Sequence, residues 1–333
     1  MSDFGDISYR IGTFASAQLL TEAKQLLILP RWAQQRPQPM HKGLTQNFRR
    51  YKNLGTILNP IHKANTPTGS ELEYEDFTMN LKEYGSWTPV DRYIRDTLED
   101  NVLQEAIRVN AYQMAKSLET LTYNVVKGGT SKVYTNGAAR SSVNTVLSRK
   151  AIVAAVRQLE NNDAREVTSL VRSTPDFNTT GIEQSFFGYC HTDLSPTLRK
   201  LDGFLRVNEY SSRITPLPGE IGTLEKVRFV ASNIAEPWVA GGATGGTNVI
   251  EDAATGKANV YPVMIFGQEA FATSTLAGQG AAKVVVHNPM ISDSDKLGQR
   301  GHVAWCTWYS SVILNNNYMT RIECAAQADA GLS

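Results

Sequence analysis

An α+β fold, in which helices and strands are grouped and do not alternate, is the class this 333-residue sequence predicts. Three observations carry it. A long run of helical spacing leads from Ile94 to Lys127, with Asp100-Asn101 offering a second cap at which it could break. The stretch before it, ELEYEDFTMNLKEYGSW, alternates with a period of two, as a strand does. Most of the remaining strand-like stretches gather after residue 225 with little helix between them, so a doubly wound parallel sheet is disfavoured.

The elements follow in order. Residues 12–29, GTFASAQLLTEAKQLLIL, place Leu19, Leu20, Ala23, Leu26 and Leu27 on one side of a helix that Pro30 should stop. A strap follows, RWAQQRPQPMHKGLTQNFRRYKNLGTILNPIHK, with Arg31, Arg36, Lys42, Arg49, Arg50, Lys52 and Lys63 and no acid. Its prolines favour an extended course with a few short strands. From Glu71 to Glu105 the charge reverses, with ten acids against Lys82, Arg92 and Arg95. Strap and acidic segment suit pairing by folding back, pairing between copies, or two solvated faces. In the acidic segment Phe77, Met79 and Leu81 keep two-residue spacing and need a surface to cover them.

Thr88-Pro89-Val90-Asp91 reads as a helix opening, with a hydroxyl cap, proline at the first position and an acid facing the dipole. Gly128-Gly129 closes the run. Even the part from Asn101 to Lys127 spans about 40 Å at 1.5 Å per residue, a spine more than a compact-domain helix. Further helices are expected over Ala151–Leu159 and from Ser195-Pro196 to Phe204. Strands are expected over Lys226–Ala231, Val260–Phe266, Lys283–His287, His302–Leu314 and Met319–Cys324. Residues 240–258, AGGATGGTNVIEDAATGKA, read as a mobile surface loop.

Composition narrows the function. The chain is 41% hydrophobic and 20% charged with a net charge of +1, an ordinary globular profile and not the basic one of a dedicated nucleic-acid reader. No window reaches the roughly 18 apolar residues of a membrane helix. The start, MSDFGDISYR, has two aspartates and no apolar core, which reads against a secretory signal. Cys190, Cys306 and Cys324 are widely spaced and odd in number, fitting neither a disulfide framework nor a zinc spacing.

No chemical motif stands the test of spacing. Gly256-Lys257 has Glu251 where a phosphate loop needs glycine and Ala258 where it needs a hydroxyl. Gly278-x-Gly280 has Lys283 in the place of a third dinucleotide-binding glycine. The five histidines make no metal spacing, and Cys190-His191 in a strand would point to opposite faces. Asp293 and Asp295 read as a solvated turn before a cation site, and the Asn178 sequon has no secretory context. The expectation is a non-enzyme with no catalytic, cofactor-binding or metal residue.

At this point five stretches, in order along nearly the whole chain, resemble the major capsid proteins of tailed bacteriophages, most of all the podophage group. They are GTFASAQLLTEAKQLLILPRWAQ with KGLTQNFRRYKNLG; LKEYGSWTPVDRYIRDTLED; FFGYCHTDLSPTLRKL; VYPVMIFGQEAF; and SDKLGQRGHVAWCTWYSSVILNNNYMTRIE. Asn101, in place of an expected proline, and Cys306, in place of an expected basic residue, depart from the pattern. The resemblance implies the phage major capsid fold, shared with the herpesvirus capsid floor. It divides the chain into an N-terminal arm (1–50), an extended β-hairpin loop (51–90), a peripheral domain with the spine (91–148), an axial domain (149–265) and returning strands (266–333).

It further implies self-assembly through hexameric and pentameric capsomers into an icosahedral shell enclosing double-stranded DNA, which is contacted non-specifically. Partners would be a separate scaffolding protein, a portal and decoration proteins, and the setting a virion assembled in the bacterial cytoplasm. Subunit-interface candidates are Phe77, Met79 and Leu81, with Arg49, Arg50 and Lys52 facing Glu71, Glu73, Glu75 and Asp76. A cellular nanocompartment shell of encapsulin type is the nearest alternative; an enzyme of unknown class is more distant.

Overall fold

The computed structural model describes residues 27–58, 69–93, 102–167, 184–210, 217, 219–278, 283–287, 289, 291 and 295–328. The helix expected over 12–29 lies mostly outside these residues, as do the Asn178 sequon, Asp293, Gly280 and the first turns expected of the spine.

The spine helix α2, Val102–Lys127, is a 26-residue rod about 39 Å long; a one-turn helix α1, Leu29–Trp32, precedes it. Pro30, expected to stop a helix, instead opens α1, where its missing N–H is no loss. The rod serves two sheets. Ile107, Ala111, Met114, Ala115 and Leu118, spaced three and four apart, pack on the first. Tyr123 and Val126, one turn further on, pack on the second.

The first sheet is organised by one long strand, β13 (Arg300–Ile313). Strand β4 (Lys82–Asp91) lies antiparallel along one edge of it, Arg300 opposite Asp91 and Tyr309 opposite Lys82. The other edge carries β12 (Lys283–His287) and β11 (Phe271–Thr275), with the two-residue β1 (Gln34–Gln35) parallel to β11. Alternate β13 residues Val303, Trp305, Thr307 and Tyr309 are buried, most of them against α2. Two polar contacts fix the seam: Trp305 Nε1 donates to Gln113 Oε1 at 3.2 Å, and the Tyr309 and Thr122 hydroxyls meet at 2.6 Å.

The helix opening expected at Thr88-Pro89-Val90-Asp91 is corrected by β4, which runs through Asp91, with helical residues following at 92 and 93. Val90 is buried in the α2 seam, and that burial outweighs local capping preference. Pro89 is tolerated because β4 is an edge strand, where a missing N–H costs no ladder bond. At Gly85 the backbones press close: a Cβ there would sit 2.7 Å from the Trp305 carbonyl oxygen.

The second sheet has seven strands in the order β5-β14-β10-β6-β9-β8-β7. Its ranges are β5 Lys132–Tyr134, β6 Phe186–Cys190, β7 Leu205–Arg206, β8 Glu220–Leu224, β9 Val227–Ala231, β10 Val260–Phe266 and β14 Met319–Ala325. Strands β6, β10 and β14 are buried at every residue; in β6 and β10 this accounts for nearly continuous apolar runs, while β14 also buries Arg321 and Glu323 as a pair. One face is covered by helix α3 (Arg149–Asn161) through Ala151, Ile152, Ala155, Val156 and Leu159. The other meets the end of α2, α1 and Phe271.

Two further expectations are corrected. The helix α4 covers only Ser195–Arg199, and Ser195 is its first residue, with Leu194 as the cap. The loop 240–258 has a fixed course, not a mobile one. Gly242 N bonds to Ala258 O, Ala243 N to Val143 O and Ile250 N to Ala326 O. Val249 and Ala258 form a small core with Val146 and Ala325. A Cβ at Gly242 would collide with the Val143 carbonyl, so that glycine serves close packing.

Glu119 on α2 is wholly buried and accepts from the backbone N–H of Leu29 (3.1 Å) and Ile28 (3.1 Å). It thereby pins the described N-terminal segment to the spine. Burial pushes its carboxyl up to about 7, against the opposing bonds from Leu29 and Ile28. A raised folded-state value means stability that is full below the ordinary 4.5 and lost as pH rises through about 7. Relative to Glu119→Gln, the native protein is expected to lose about 3 kcal/mol between pH 4.5 and 7. Urea unfolding of both proteins across that range checks it, and parallel pH profiles would refute it.

Candidate interaction surface

The third sheet is a two-stranded hairpin, β2 (Thr45–Tyr51) and β3 (Tyr74–Asn80), with Phe48 opposite Phe77 and Arg49 opposite Asp76. Its first strand thus begins inside the basic strap, and residues 82–90 belong to the β13 sheet and not to the hairpin. Period-two alternation assigns the faces. Gln46, Phe48, Phe77 and Met79 look toward the body; Thr45, Asn47, Arg49, Asp76, Thr78 and Asn80 look outward.

The inner face closes the question posed by Phe77, Met79 and Leu81. Met79, only 2% exposed, packs with Phe48, Ala272 and Leu314 of its own chain, with Phe77 at the margin. Leu81 is buried too, its N–H bonded to Leu44 O. The root of the hairpin is therefore covered from within. Arg50 reaches the Leu314 carbonyl at 3.3 Å and Arg36 the Asn47 carbonyl at 3.3 Å, tying the root to the body.

Beyond the root the charged residues pair across the strands. Arg49 grips Asp76 with Nε at 2.8 Å and Nη2 at 2.9 Å, Arg50 meets Glu75 at 2.5 Å, and Lys52 meets Glu73 at 3.0 Å. Of the pairings expected between strap and acidic segment, folding back is the one these contacts make. Glu71 stands exposed beyond the ladder. Arg49 also lies 4.1 Å over the Tyr74 ring, and Tyr51 meets Tyr74 edge-on. The hydrogen bond from Arg49 holds the Asp76 carboxyl below its ordinary value, and the bond from Lys52 to Glu73 holds that ammonium above its own. Exposed pairs like these fix register more than they add stability.

Past the ladder the described chain is exposed and apolar. Leu54, Ile57, Leu58 and Leu72 stand in solvent, Ile57 at 75% and Leu58 at 86% exposure. Sequence reasoning passed over them because they lie outside any periodic element; the signal was the run LGTIL inside an otherwise polar strap. Single exposed apolar residues are ordinary, but four close to one hairpin end mark a contact surface.

The other candidate chemistry resolves into structure. Burial pushes the Cys190 thiol up to about 12, the reverse of what a nucleophile needs. The neighbouring His191 caps the turn that follows, its Nδ1 accepting from Asp193 N at 3.1 Å and its ring 5.5 Å from that of Tyr261. Asp295 closes a turn by accepting from Gln299 N and Arg300 N, each at 2.7 Å. Among the described residues, no three His, Cys, Asp or Glu side chains are grouped so as to hold a metal ion.

Comparison with known proteins agrees with this architecture. A family model described as phage capsid protein matches residues 74–301. The major capsid protein of Pseudomonas phage KPP21 is 23% identical over 187 residues, covering 51% of this chain and 46% of that protein, so the match spans about half the length of that relative. The capsid of Ralstonia phage GP4 superposes with a TM-score of 0.65 at 13% identity, over 89% of this chain and 87% of that one. A SrpI encapsulin from Synechococcus elongatus shares the fold with a TM-score of 0.53 at 10% identity, over 89% and 86%.

Proposed function

The chain belongs to the phage capsid protein family, and on that premise we propose that it is a major capsid protein whose copies assemble into the head shell enclosing double-stranded DNA. The observation that carries this reading is the hairpin: a stem tied to the body at its root, stiffened by paired charges, leading to apolar residues that no described residue covers. Such a tip finds its core on an adjacent copy. Arg49, Arg50 and Lys52 with Glu73, Glu75 and Asp76 set its direction, and Glu71 remains open to a neighbour. Phe77, Met79 and Leu81 act on the interface indirectly, by anchoring the stem.

In this reading the second sheet with α3 forms the axial part of hexameric and pentameric capsomers, and α2 with the β13 sheet the peripheral part. The product is a virion component, assembled in the host cytoplasm with a scaffolding protein, a portal and decoration proteins. Among the described residues no helix is long and apolar enough to cross a membrane. The nanocompartment alternative rests on shared fold alone, whereas the family model and the curated relative add sequence likeness to phage proteins.

Electron microscopy of the purified protein, alone and co-expressed with scaffolding candidates, tests the proposal. Closed shells, sheets or capsomer rings are expected. A small monodisperse species under both conditions would overturn it.

A further inference from the structure

Where α2 ends, the chain gathers cations around a single indole. The Arg140 guanidinium lies 3.5 Å from the Trp238 ring centroid, Lys127 Nζ 4.3 Å and the Arg321 guanidinium 5.3 Å. Beneath them is Glu323, fully buried, which Arg140 grips through Nε at 2.7 Å and Nη2 at 2.9 Å and Arg321 through Nε at 2.9 Å. Arg321 Nη1 donates to the Lys127 and Gly129 carbonyls, and Lys127 Nζ to the Glu236 carbonyl at 2.9 Å.

These side chains border a cavity of about 470 Å³ whose wall also includes Lys132 and Thr130. Four of the wall residues are cationic and none is acidic. Two carboxylates act on the group, buried Glu323 and the nearby Glu236, which leaves two positive charges uncompensated. Burial, together with Arg140 and Arg321, holds the Lys127 ammonium below its ordinary value despite those two acids. Donor capacity is left over as well. Among the described residues Arg140 Nη1, Arg321 Nη2 and the Lys132 ammonium make no hydrogen bond.

We propose that this cavity is an oxyanion site that takes a phosphate group, either free or within the backbone of a nucleic acid. A carboxylate offers one planar edge, and Glu323 already fills that role from below. A tetrahedral phosphate presents oxygens in several directions, matching donors that arrive from α2, β5, β14 and the segment before α3. The volume equals roughly fifteen waters at ~30 Å³ each, more than one phosphate needs, so a phosphate carrying further groups also fits. The site stands apart from the hairpin and does not depend on the assembly reading.

The test is a titration of the full-length protein with inorganic phosphate at constant ionic strength, followed by calorimetry and by tryptophan emission. Saturable binding is expected, with an emission change that vanishes in Trp238→Phe. Lys132→Gln and Lys127→Gln, which leave the Glu323 pairs intact, should each weaken binding about tenfold. A short single-stranded DNA that competes with phosphate, and loses affinity in the same variants, identifies the nucleic-acid backbone as a source; phosphate binding without such competition identifies the free anion. Absence of saturable phosphate binding, an emission change that persists in Trp238→Phe, or unchanged affinity in both lysine variants would overturn the proposal.

Discussion

Serine at Leu54, Ile57 and Leu58 is expected to abolish particle formation and leave the isolated subunit as stable as before. All three side chains are exposed in the single chain, so their loss changes its stability by no more than about 0.5 kcal/mol each. Covered by a neighbour, each contributes about 1.5–3 kcal/mol before ordering costs, and the contact repeats at every subunit of a shell. The converse pair, Met79→Ser and Leu81→Ser, should destabilise the subunit itself by about 2–5 kcal/mol each, because both lie in the root of the hairpin. Thermal melting and electron microscopy on both sets separate the roles. Normal shells from the tip variant would remove the hairpin end from the interface.

Glu323→Ala carries the largest expected cost in stability. Burial pushes that carboxyl up, yet the bonds from Arg140 and the charges of both arginines outweigh it and hold it below its ordinary value. Removing it strands Arg321, itself buried, beside Arg140 and Lys127 with no buried counter-charge. A loss of about 3–5 kcal/mol is expected in urea unfolding at neutral pH. A change under about 1 kcal/mol would mean that solvent already screens the group.

What the sequence revealed and what it hid follow one physical division. Strands β10, β12 and β14 were legible almost to the residue: β10 because two-sided burial writes itself as an unbroken apolar run, β12 by its β-branched run Val284–Val286, and β14 by its β-branched Thr320 and Ile322. The spine was equally plain, since 26 residues of helical spacing have few alternative readings. Thr88–Asp91 misled because its capping chemistry is local, whereas the pairing with β13 joins residues about 210 positions apart. The glycine-rich loop misled for the same reason: its fixed course depends on Val143, Val146 and the strand end at Ala325.

The hairpin was read half correctly. Alternation revealed that Phe77 and Met79 share a face, but alternation cannot name the partner of a face, and that partner proved to be Ala272 and Leu314. The tip residues escaped notice because they belong to no period. Glu119 and the group around Trp238 escaped because single residues spread over the chain leave no spacing to read. Arg140 and Glu323 are 183 positions apart.

Strand order also carries a consequence for synthesis. In the seven-stranded sheet, β14 lies between β5 and β10, although it is the last of the three to be made. Until Ala325 has left the ribosome, β5 has no strand to join and one edge of β10 is bare. A nascent chain therefore cannot close this sheet progressively as it emerges. The strand made last of the three thus has to enter the interior of the sheet before β5 and β10 are joined.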